Sequence, residues 1–317
     1  MRTSRHPSVP KVESIQSQKL AMSGGLKLAV AVDQTGCVCI PMNGSPSTHI
    51  LKPDAPRLCG SVQNEAFCLT LARRMKIPTP SVTTGQAGKR TYLLVKRFDR
   101  TEVSGRWRRL HQEDYCQALG KPPSAKYEAN QTGIRGPALE DMFELTRRHL
   151  PSIDIVHLLD MVVVNVLACN TDAHAKNYAI IIRGNGASIA PMYDLMCGEV
   201  WENVTKNLAQ KIAGKSRGDH LNGRDWQQFA RECGLNPRQV LDRVGALAKS
   251  ALAEAAAAAS EVAAMPAGIH EVLDQTREAV ERRARILLAQ LQELGDDPVK
   301  AVNKEEAAVA KQECSVT

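Results

Sequence analysis

The sequence predicts an α+β fold of two lobes, a small sheet-rich N-lobe followed by a larger, all-helical C-lobe that carries a β-hairpin. Short apolar runs separated by turn residues dominate the first hundred residues, and helical periodicity dominates afterwards. A glycine-rich turn, "GNG" (184–186), interrupts the helical part between two apolar runs. Two lobes predict a cleft between them, which is where small ligands usually bind.

The predicted N-lobe occupies residues 20–97 and follows a flexible polar tail at residues 1–19. Alternating apolar residues bounded by turn residues predict its strands, and four-residue apolar spacing that ends at "IPTP" predicts its helix. The strands are predicted in "LKLAVAVD", "CVCIPM", "THILKP" and "RTYLLVKRFDR", and the helix in "NEAFCLTLARRMKI".

The predicted C-lobe occupies residues 98–295, and a polar tail follows at residues 296–317. Its helices are predicted in "HQEDYCQALG", "GPALEDMFELTRRHL", "SIDIVHLLDMVVVNVLACN", "RDWQQFARECGL", the alanine-rich run 244–264 and "GIHEVLDQTREAVERRARILLAQLQEL". The most apolar of these segments contains Asp160 and Asn165, so it predicts a buried helix and not a membrane span.

Composition and charge are those of an ordinary cytoplasmic globular protein. The chain is 43% hydrophobic and 24% charged, and its basic N-terminus has no apolar core of a secretory signal behind it. Nine cysteines without a C-x-x-C pair predict reduced thiols, and neither a disulfide framework nor a zinc site. The net charge of +7 is moderate and its basic residues are scattered, which we interpret as a solvated basic face.

Chemistry-bearing residues surround the hairpin predicted from "YAIIIR" (178–183) and "ASIAPM" (187–192). If the hairpin is centred between Asn185 and Gly186, Asn177 lies opposite Asp194. An amide oxygen and a carboxylate are hard ligands that suit Mg²⁺ together with phosphates and water. The hairpin therefore predicts a magnesium site at its open end.

Asp172 lies five residues before Asn177, on the loop that leads into the hairpin. The spacing D-x-x-x-x-N followed by a later aspartate suits phosphoryl transfer, in which one carboxylate takes the acceptor proton and the other groups hold the metal. Lys176 can neutralise phosphate charge, and His174 can hold the loop or contact phosphate.

The N-lobe is expected to supply the other half of a nucleotide site. Small residues in "MSGGLK" (22–27) can bring backbone N–H groups close to phosphate. Lys52 has apolar neighbours and requires an anionic partner, for which Glu65 on the following helix is a candidate. Backbone groups of residues 96–98 can face an adenine edge.

Each of these features also has a purely structural interpretation. A single D-x-x-x-x-N is common, a glycine pair usually marks a turn, and an Asp–His pair is more often a structural hydrogen bond than a ligand set. A transition-metal site at Asp172 and His174 lacks a second histidine at ligand spacing. The hairpin register favours phosphoryl transfer, because a random sequence would not supply it.

The chain resembles the HipA-type serine/threonine kinases, the toxins of bacterial toxin–antitoxin modules. The resemblance covers roughly residues 20–200 and rests on segments in the family's order. These segments are "STHILKP", "NEAFCLTLARRMKIPTP", "VKRFDR", "LHQEDYCQALG", "KYE", "TDAHAKN" and "PMYDL". The resemblance implies a two-lobed protein-kinase-like fold and an enzyme that uses ATP and Mg²⁺.

The resemblance also implies roles for individual residues. Asp172 would be the catalytic base, Asn177 and Asp194 the magnesium ligands, and Lys52 the phosphate-binding lysine. The further nucleotide contacts would be Met22, Ser23, Gly24, Gly25, Leu26 and Lys27 in the phosphate loop, Lys96, Arg97 and Phe98 in the hinge, and His174, Ala175, Lys176 and Tyr193 beside the ligands.

The sequence departs from the family pattern in two places. The family loop is close to "AGAQ-x-K", whereas "MSGGLK" keeps Lys27 and displaces the glycines and the glutamine. Longer members carry a small domain before the loop, whereas only residues 1–21 precede it here. The chain therefore resembles the short HipT-type form, in which a separate small protein corresponds to that domain.

The resemblance implies partners and regulation as well. The expected substrate is a protein, by family precedent an aminoacyl-tRNA synthetase whose inhibition stalls translation and growth. The expected partner is a helix-turn-helix antitoxin, through which DNA is contacted indirectly, and no membrane is involved. Autophosphorylation is expected at Ser23, with Ser14 and Ser17 as further candidates.

Two other functions remain open at this point. A small-molecule phosphotransferase of the aminoglycoside type shares the D-x-x-x-x-N spacing and the later aspartate, although "HQEDYCQALG" argues against it. A non-catalytic protein with a degenerate site, acting with a DNA-binding antitoxin, is compatible with the altered phosphate loop.

Overall fold

The first part of the chain forms an antiparallel sheet of six strands, in the order β1-β3-β2-β4-β6-β5. The structure is a computed structural model that describes residues 12–14, 27–42 and 44–293. The strands are β1 (Val12–Ser14), β2 (Leu28–Val32), β3 (Val38–Pro41), β4 (His49–Pro53), β5 (Val82–Ala87) and β6 (Arg90–Lys96). Strand β1 lies within the predicted flexible tail 1–19, where it pairs with β3. Sequence patterns predicted neither β1 nor β5.

The alternation of side chains along β4 directs Lys52 into the interior of the molecule. Leu51 pairs with Leu94 of β6, and both belong to a small apolar cluster with Val30. Lys52 pairs with Leu93 and therefore points to the opposite face of the sheet. That face carries the main core and the cavity described below, which Lys52 and Leu93 both line.

Helix α1 (Ser61–Arg74) covers this face of the sheet. It begins after Gly60, whose φ of 77° lies in the left-handed region, and Asp54 accepts a hydrogen bond from the Ser61 hydroxyl at 2.7 Å. Residues 61–72 are all buried, including the polar Asn64 and Glu65. A helix buried on every side must pack between two layers, and α1 contacts the sheet on one side and helices on the other.

The rest of the described chain is mainly helical. Its helices are α2 (Tyr115–Ala118), α3 (Leu139–His149), α4 (Ser152–Leu167), α5 (Gly223–Glu232), α6 (Pro237–Ala263) and α7 (Glu271–Gln292). Helices α6 and α7 pack against each other and against α1. The predicted helices 224–235, 244–264 and 268–294 correspond to α5, α6 and α7.

Short strands lie between these helices. They are β7 (Arg100–Val103), β8 (Arg106–Arg109), β9 (His111–Asp114), β10 (Ala179–Arg183), β11 (Gly186–Ile189), β12 (Asn207–Ile212) and β13 (Lys215–Arg217). The helix predicted for "HQEDYCQALG" is wrong over its first four residues, which form β9 and pair with β10. Only its second half is helical, where Asp114 and Gln117 form the capping box of α2.

The predicted hairpin is present as β10 and β11, but its register differs from the prediction. Arg183 pairs with Gly186, so the two-residue turn is Gly184–Asn185, and the centre lies one residue earlier than expected. Continued in this register, Asn177 would lie opposite Met192 and not opposite Asp194. Asp194 reaches the same cavity as Asn177 through the chain that follows β11, where its φ of 51° turns the backbone.

One buried core connects the sheet and the helices. It includes Leu93 and Val95 of β6, Phe67 of α1, Phe143 of α3 and Val244 of α6. Over the part of the chain that the structure describes, every helix is either too short or too polar to span a bilayer.

Candidate active site

A cavity of about 540 Å³ lies between the six-stranded sheet, α1 and the loops around the β10–β11 hairpin. Eight of the predicted site residues line it: Lys27, Lys52, Asp172, His174, Lys176, Asn177, Tyr193 and Asp194. Residues that are distant in the sequence thus meet around one space large enough for a nucleotide.

Asparagine side chains fix the loop that carries Asp172. Asn170, which is 3% exposed, donates to the Asn165 side chain at 2.8 Å, and its own oxygen accepts from the Asp172 backbone N–H at 3.2 Å. The Asn177 amide donates to the Asp172 carbonyl oxygen at 2.8 Å. The backbone of Asp172 is thus held from both sides, while its side chain remains 68% exposed.

Asp194 is a half-buried carboxylate that two lysines contact. Its Oδ2 accepts from the Lys27 ammonium at 2.5 Å, and its Oδ1 accepts from Lys52. Burial opposes ionisation, but the charges of Lys52 and Lys27 outweigh it and hold the pKa of Asp194 well below its usual range. The carboxylate is therefore ionised at neutral pH and available to a cation.

Lys52 lies between two carboxylates at the back of the cavity. Besides Asp194 it donates to Glu65 of α1 at 2.5 Å, the partner that the sequence suggested. Burial alone would lower the pKa of Lys52, but the two carboxylates outweigh it and raise that pKa above its usual value. Lys52 therefore remains charged although its side chain is only 14% exposed.

His174 and Lys176 both line the cavity, and they differ in charge and in partners. His174 is 7% exposed, and burial lowers its pKa, which favours the neutral imidazole at neutral pH. The Lys176 ammonium donates to Asp114 at 2.5 Å, so its charge is largely matched by a carboxylate of β9. Its carbonyl oxygen accepts from the Tyr193 hydroxyl at 2.8 Å.

Several predicted contacts do not line this cavity. Ala175 is fully buried, with its N–H donating to the Lys126 carbonyl at 3.1 Å. Lys96 and Arg97 donate their backbone N–H groups to the carbonyls of residues 81 and 48, so these donors are already used. Phe98 contacts the site indirectly, through its ring 5.3 Å from that of Tyr193. Met22, Ser23, Gly24, Gly25 and Leu26 lie outside the described residues.

Two residues of "KYE" line or reach the cavity without having been assigned a role. Lys126 lines it, and no carboxylate of a described residue forms an ion pair with its ammonium. Tyr127 donates its hydroxyl to Asp172 Oδ1 at 2.5 Å. Their position 45 residues before Asp172 shows no local pattern, so only the family resemblance singled out this segment.

The side-chain oxygens of Asn177 and Asp194, which both line the cavity, fit a magnesium ion. The Asn177 amide nitrogen is used by the Asp172 carbonyl, which leaves the amide oxygen as the free ligand atom. The Asp194 carboxylate is ionised and currently binds only ammonium groups. One amide oxygen and one carboxylate, with room for phosphates and water, are what Mg²⁺ binds in phosphoryl-transfer sites.

Comparison with known proteins agrees with this arrangement. The family model of the HipA-like C-terminal domain matches residues 21–259. The chain belongs to this family. It is 34% identical over 247 residues to the putative kinase Y4mE of Sinorhizobium fredii, a match that covers 77% of this chain and 58% of that protein. It is 34% identical over 176 residues to the serine/threonine-protein kinase toxin HipA of Shewanella oneidensis, covering 52% of this chain and 40% of that protein.

Solved structures extend the family likeness to the fold. HipA in the Shewanella oneidensis complex of HipA, HipB and operator DNA matches with a TM-score of 0.80 at 23% identity, over 93% of this chain and 76% of that one. The Helicobacter pylori proinflammatory kinase CtkA matches with a TM-score of 0.55 at 13% identity, over 85% and 98%. The HipA-like chain thus has a two-lobed, kinase-like α+β fold, and it spans about half the length of the curated relatives it matches.

Proposed function

We propose that this HipA-like chain is a protein serine/threonine kinase that transfers the γ-phosphate of ATP to a hydroxyl of a cytoplasmic protein. The observation that carries the proposal is the joint placement of Asp172, Asn177, Asp194 and Lys52 around one cavity. Family membership and the kinase names of relatives support the same chemistry. A structural hydrogen-bond network alone would not require the half-buried, ionised carboxylate of Asp194 to line an open cavity.

In the proposed reaction, Asp172 acts as the general base. The acceptor hydroxyl gives its proton to a carboxylate oxygen of Asp172, and its oxygen forms the new bond to the γ-phosphorus. The bond from the γ-phosphorus to the β–γ bridging oxygen breaks, and its electron pair leaves with ADP. Because the Asp172 side chain is 68% exposed, solvent can then remove the proton.

The cavity cations neutralise the triphosphate in this proposal. Lys52 and Lys27 leave Asp194 for phosphate oxygens, and Lys126 adds a third ammonium on the Asp172 side. When bound by Asn177 and Asp194, Mg²⁺ would supply charge neutralisation at the β- and γ-phosphates. Asp194 would thereby exchange its lysine partners for the metal without becoming an unpaired buried charge.

The proposal is tested with γ-labelled ATP, Mg²⁺ and a bacterial lysate. The wild-type chain should label a protein band, and Asp172→Asn should lower labelling by about 100-fold or more because the proton acceptor is lost. The variant should still bind Mg-ATP in calorimetry, which serves as the control for folding. Undiminished labelling by Asp172→Asn would contradict the assignment of the base.

Two other results of this experiment would each replace the proposal. A labelled metabolite in place of a labelled protein would indicate a small-molecule phosphotransferase. Failure of the wild-type chain to bind Mg-ATP in calorimetry would indicate a non-catalytic binding protein.

We further propose the partners and the self-regulation that the family likeness suggests. The Shewanella complex contains HipB and operator DNA, and by analogy a small DNA-binding antitoxin is proposed for this chain, with an aminoacyl-tRNA synthetase as the substrate and arrest of translation as the result. Co-purification with the helix-turn-helix protein of a neighbouring gene tests the antitoxin, and free elution of both proteins would contradict it.

Autophosphorylation is proposed for Ser23, Ser14 or Ser17. A phosphate on one of these serines would add about two negative charges before Lys27, and from the family likeness we expect it to reduce ATP affinity. Mass spectrometry after incubation with Mg-ATP should find the modification, and its absence from all three serines would exclude this proposal.

A further inference from the structure

Asp172 has two carboxylate oxygens with different surroundings. Oδ1 accepts the Tyr127 hydroxyl at 2.5 Å, and His174 Nε2 lies 3.9 Å from the same oxygen. Among the described residues, no donor forms a hydrogen bond to Oδ2. The asparagines at 170 and 177 hold the backbone of Asp172. Of its two carboxylate oxygens, Oδ1 is therefore occupied and Oδ2 is free to accept a hydrogen bond from a substrate.

Tyr127 belongs to a fixed wall and not to a mobile flap. Its carbonyl oxygen accepts from Asn130 at 3.0 Å, and a side chain at Gly136 would come within 1.9 Å of that same oxygen. The next residue, Glu128, donates its N–H to the Ala209 carbonyl at 3.2 Å and accepts from the N–H of Lys211 at 2.6 Å. Strand β12 therefore holds the segment from one side and the close approach of Gly136 holds it from the other.

The phenol ring of Tyr127 is positioned as firmly as its backbone. It packs edge-on against the His174 ring, with centroids 5.2 Å apart and planes at 83°. His174 itself is buried, so this contact cannot shift without disturbing the loop. Burial and the hydrogen bond to Asp172 raise the pKa of Tyr127, so the hydroxyl remains a donor at neutral pH.

We infer that Tyr127 is a positioning residue for the base: its hydroxyl holds Asp172 Oδ1, so that Oδ2 faces the acceptor hydroxyl. This inference rests on the proposed kinase function. The proton of Tyr127 stays on the phenol, and the acceptor proton goes to Oδ2 of Asp172. Two asparagines hold the backbone of the base and Tyr127 holds one of its oxygens, so its side chain does not sample rotamers in which neither oxygen faces the substrate.

Tyr127 could have the opposite role, here called a plug: its hydroxyl would block Asp172 until the substrate displaces that hydroxyl. This role predicts a different outcome. A plug must leave Asp172 before reaction, and its removal would raise activity. The fixed backbone of Tyr127 and the edge-on contact of its ring with His174 favour the positioning role, because neither allows the hydroxyl to withdraw by itself.

The test compares the steady-state kinetics of Tyr127→Phe with those of Tyr92→Phe, which loses the same atom on β6 outside the cavity. The phenylalanine keeps the contact with His174 and removes only the hydroxyl. We expect Tyr127→Phe to lower kcat by about 10- to 100-fold while KM for ATP and the calorimetric affinity for Mg-ATP stay within twofold of wild type. Tyr92→Phe should leave all three quantities unchanged.

Each result decides between the roles. Unchanged kcat in Tyr127→Phe would overturn the inference, and raised kcat would assign Tyr127 as a plug. Parallel loss of kcat and of Mg-ATP affinity would indicate a general structural role and would also overturn it. The proposed function fails separately, if the wild-type chain shows no phosphoryl transfer that depends on Asp172.

Discussion

At the scale of single residues, the charge balance of the cavity depends on Lys52. Its ammonium is shared by Glu65 and Asp194, and the three side chains are mostly buried. Burial raises the pKa of Glu65 in spite of Lys52, and Lys27 adds a second positive charge beside Asp194 from the more exposed side. The arrangement is stable without nucleotide, yet it keeps two cations at the position where phosphates are proposed to bind.

Lys52→Met is therefore expected to affect stability and activity together. Removal of the ammonium leaves the buried Glu65 without its ion-pair partner and leaves Asp194 with Lys27 alone, which should lower the free energy of unfolding by about 3 kcal/mol. Phosphoryl transfer should fall below detection. Urea denaturation monitors the first effect, with the exposed Lys89→Met as a matched control. Equal stability of the two variants would contradict the buried charge network.

The sequence predicted which residues line the cavity better than it predicted their contacts. The apolar neighbours of Lys52 indicated that it needs an anionic partner, and the five-residue spacing of Asp172 and Asn177 is a local pattern. Tyr127 was not predicted as a site residue, because its contact with Asp172 arises only after α3 and α4 fold between them. The ion pair of Lys176 with Asp114 was missed for the same reason.

At the scale of elements, one ion cluster attaches the chain after Asp194 to α7. Glu199 accepts from Arg282 at 2.8 Å and from Arg283 at 3.0 Å. Burial opposes its ionisation, but the hydrogen bonds and charges of its partners outweigh it and lower the pKa of Glu199 to about 2. The segment that carries Asp194 is thereby attached to α7, which packs against α1 and α6.

The low pKa of Glu199 predicts a pH dependence with a defined sign. Because the folded-state pKa of Glu199, about 2, lies below the ordinary glutamate value of 4.5, the stabilisation is complete above pH 4.5 and is lost as the pH falls towards 2. Glu199→Gln should cost about 1 kcal/mol at neutral pH, after discounting for solvent screening. This difference should vanish near pH 2 in urea titrations, whereas the exposed Glu202→Gln should match wild type throughout. A difference that is independent of pH would refute the ionic origin.

Elements with strong local patterns were predicted and elements with distant partners were not. Helices α3 to α7 follow apolar periodicity, and each was expected near its observed position. The "HQED" stretch forms a strand because β10 offers it hydrogen bonds from 65 residues away, a contact that local propensity does not encode. The hairpin register shifted by one residue because Gly184, and not Gly186, lies in the turn.

At the scale of the whole molecule, the sheet and the helices share one core. Asn64 of α1 is fully buried and joins three parts of the chain: it accepts from the Cys197 N–H at 2.8 Å and donates to the Cys197 carbonyl at 3.1 Å and to the Thr276 hydroxyl at 3.0 Å. These hydrogen bonds therefore connect α1, which lines the cavity, to the chain that follows Asp194 and to α7.

Asn64→Ala should weaken the whole molecule and not one lobe. Loss of its three hydrogen bonds leaves the buried N–H and carbonyl of Cys197 without this partner, at a cost of about 2–3 kcal/mol, whereas the Thr276 hydroxyl still donates to the Val272 carbonyl. Unfolding in urea should remain a single transition with a lower midpoint, while the exposed Gln228→Ala should change stability by less than about 0.5 kcal/mol. Two separate transitions in the variant would contradict a shared core.

The central claim is that one cavity gathers Asp172, Asn177 and Asp194 around a magnesium-bound triphosphate, and a crystal structure with Mg²⁺ and a non-hydrolysable ATP analogue tests it most directly. The account predicts the Asn177 amide oxygen and an Asp194 carboxylate oxygen at about 2.1 Å from the metal, with the γ-phosphate beside Asp172. Nucleotide bound elsewhere, or a metal held without Asp194, would contradict it.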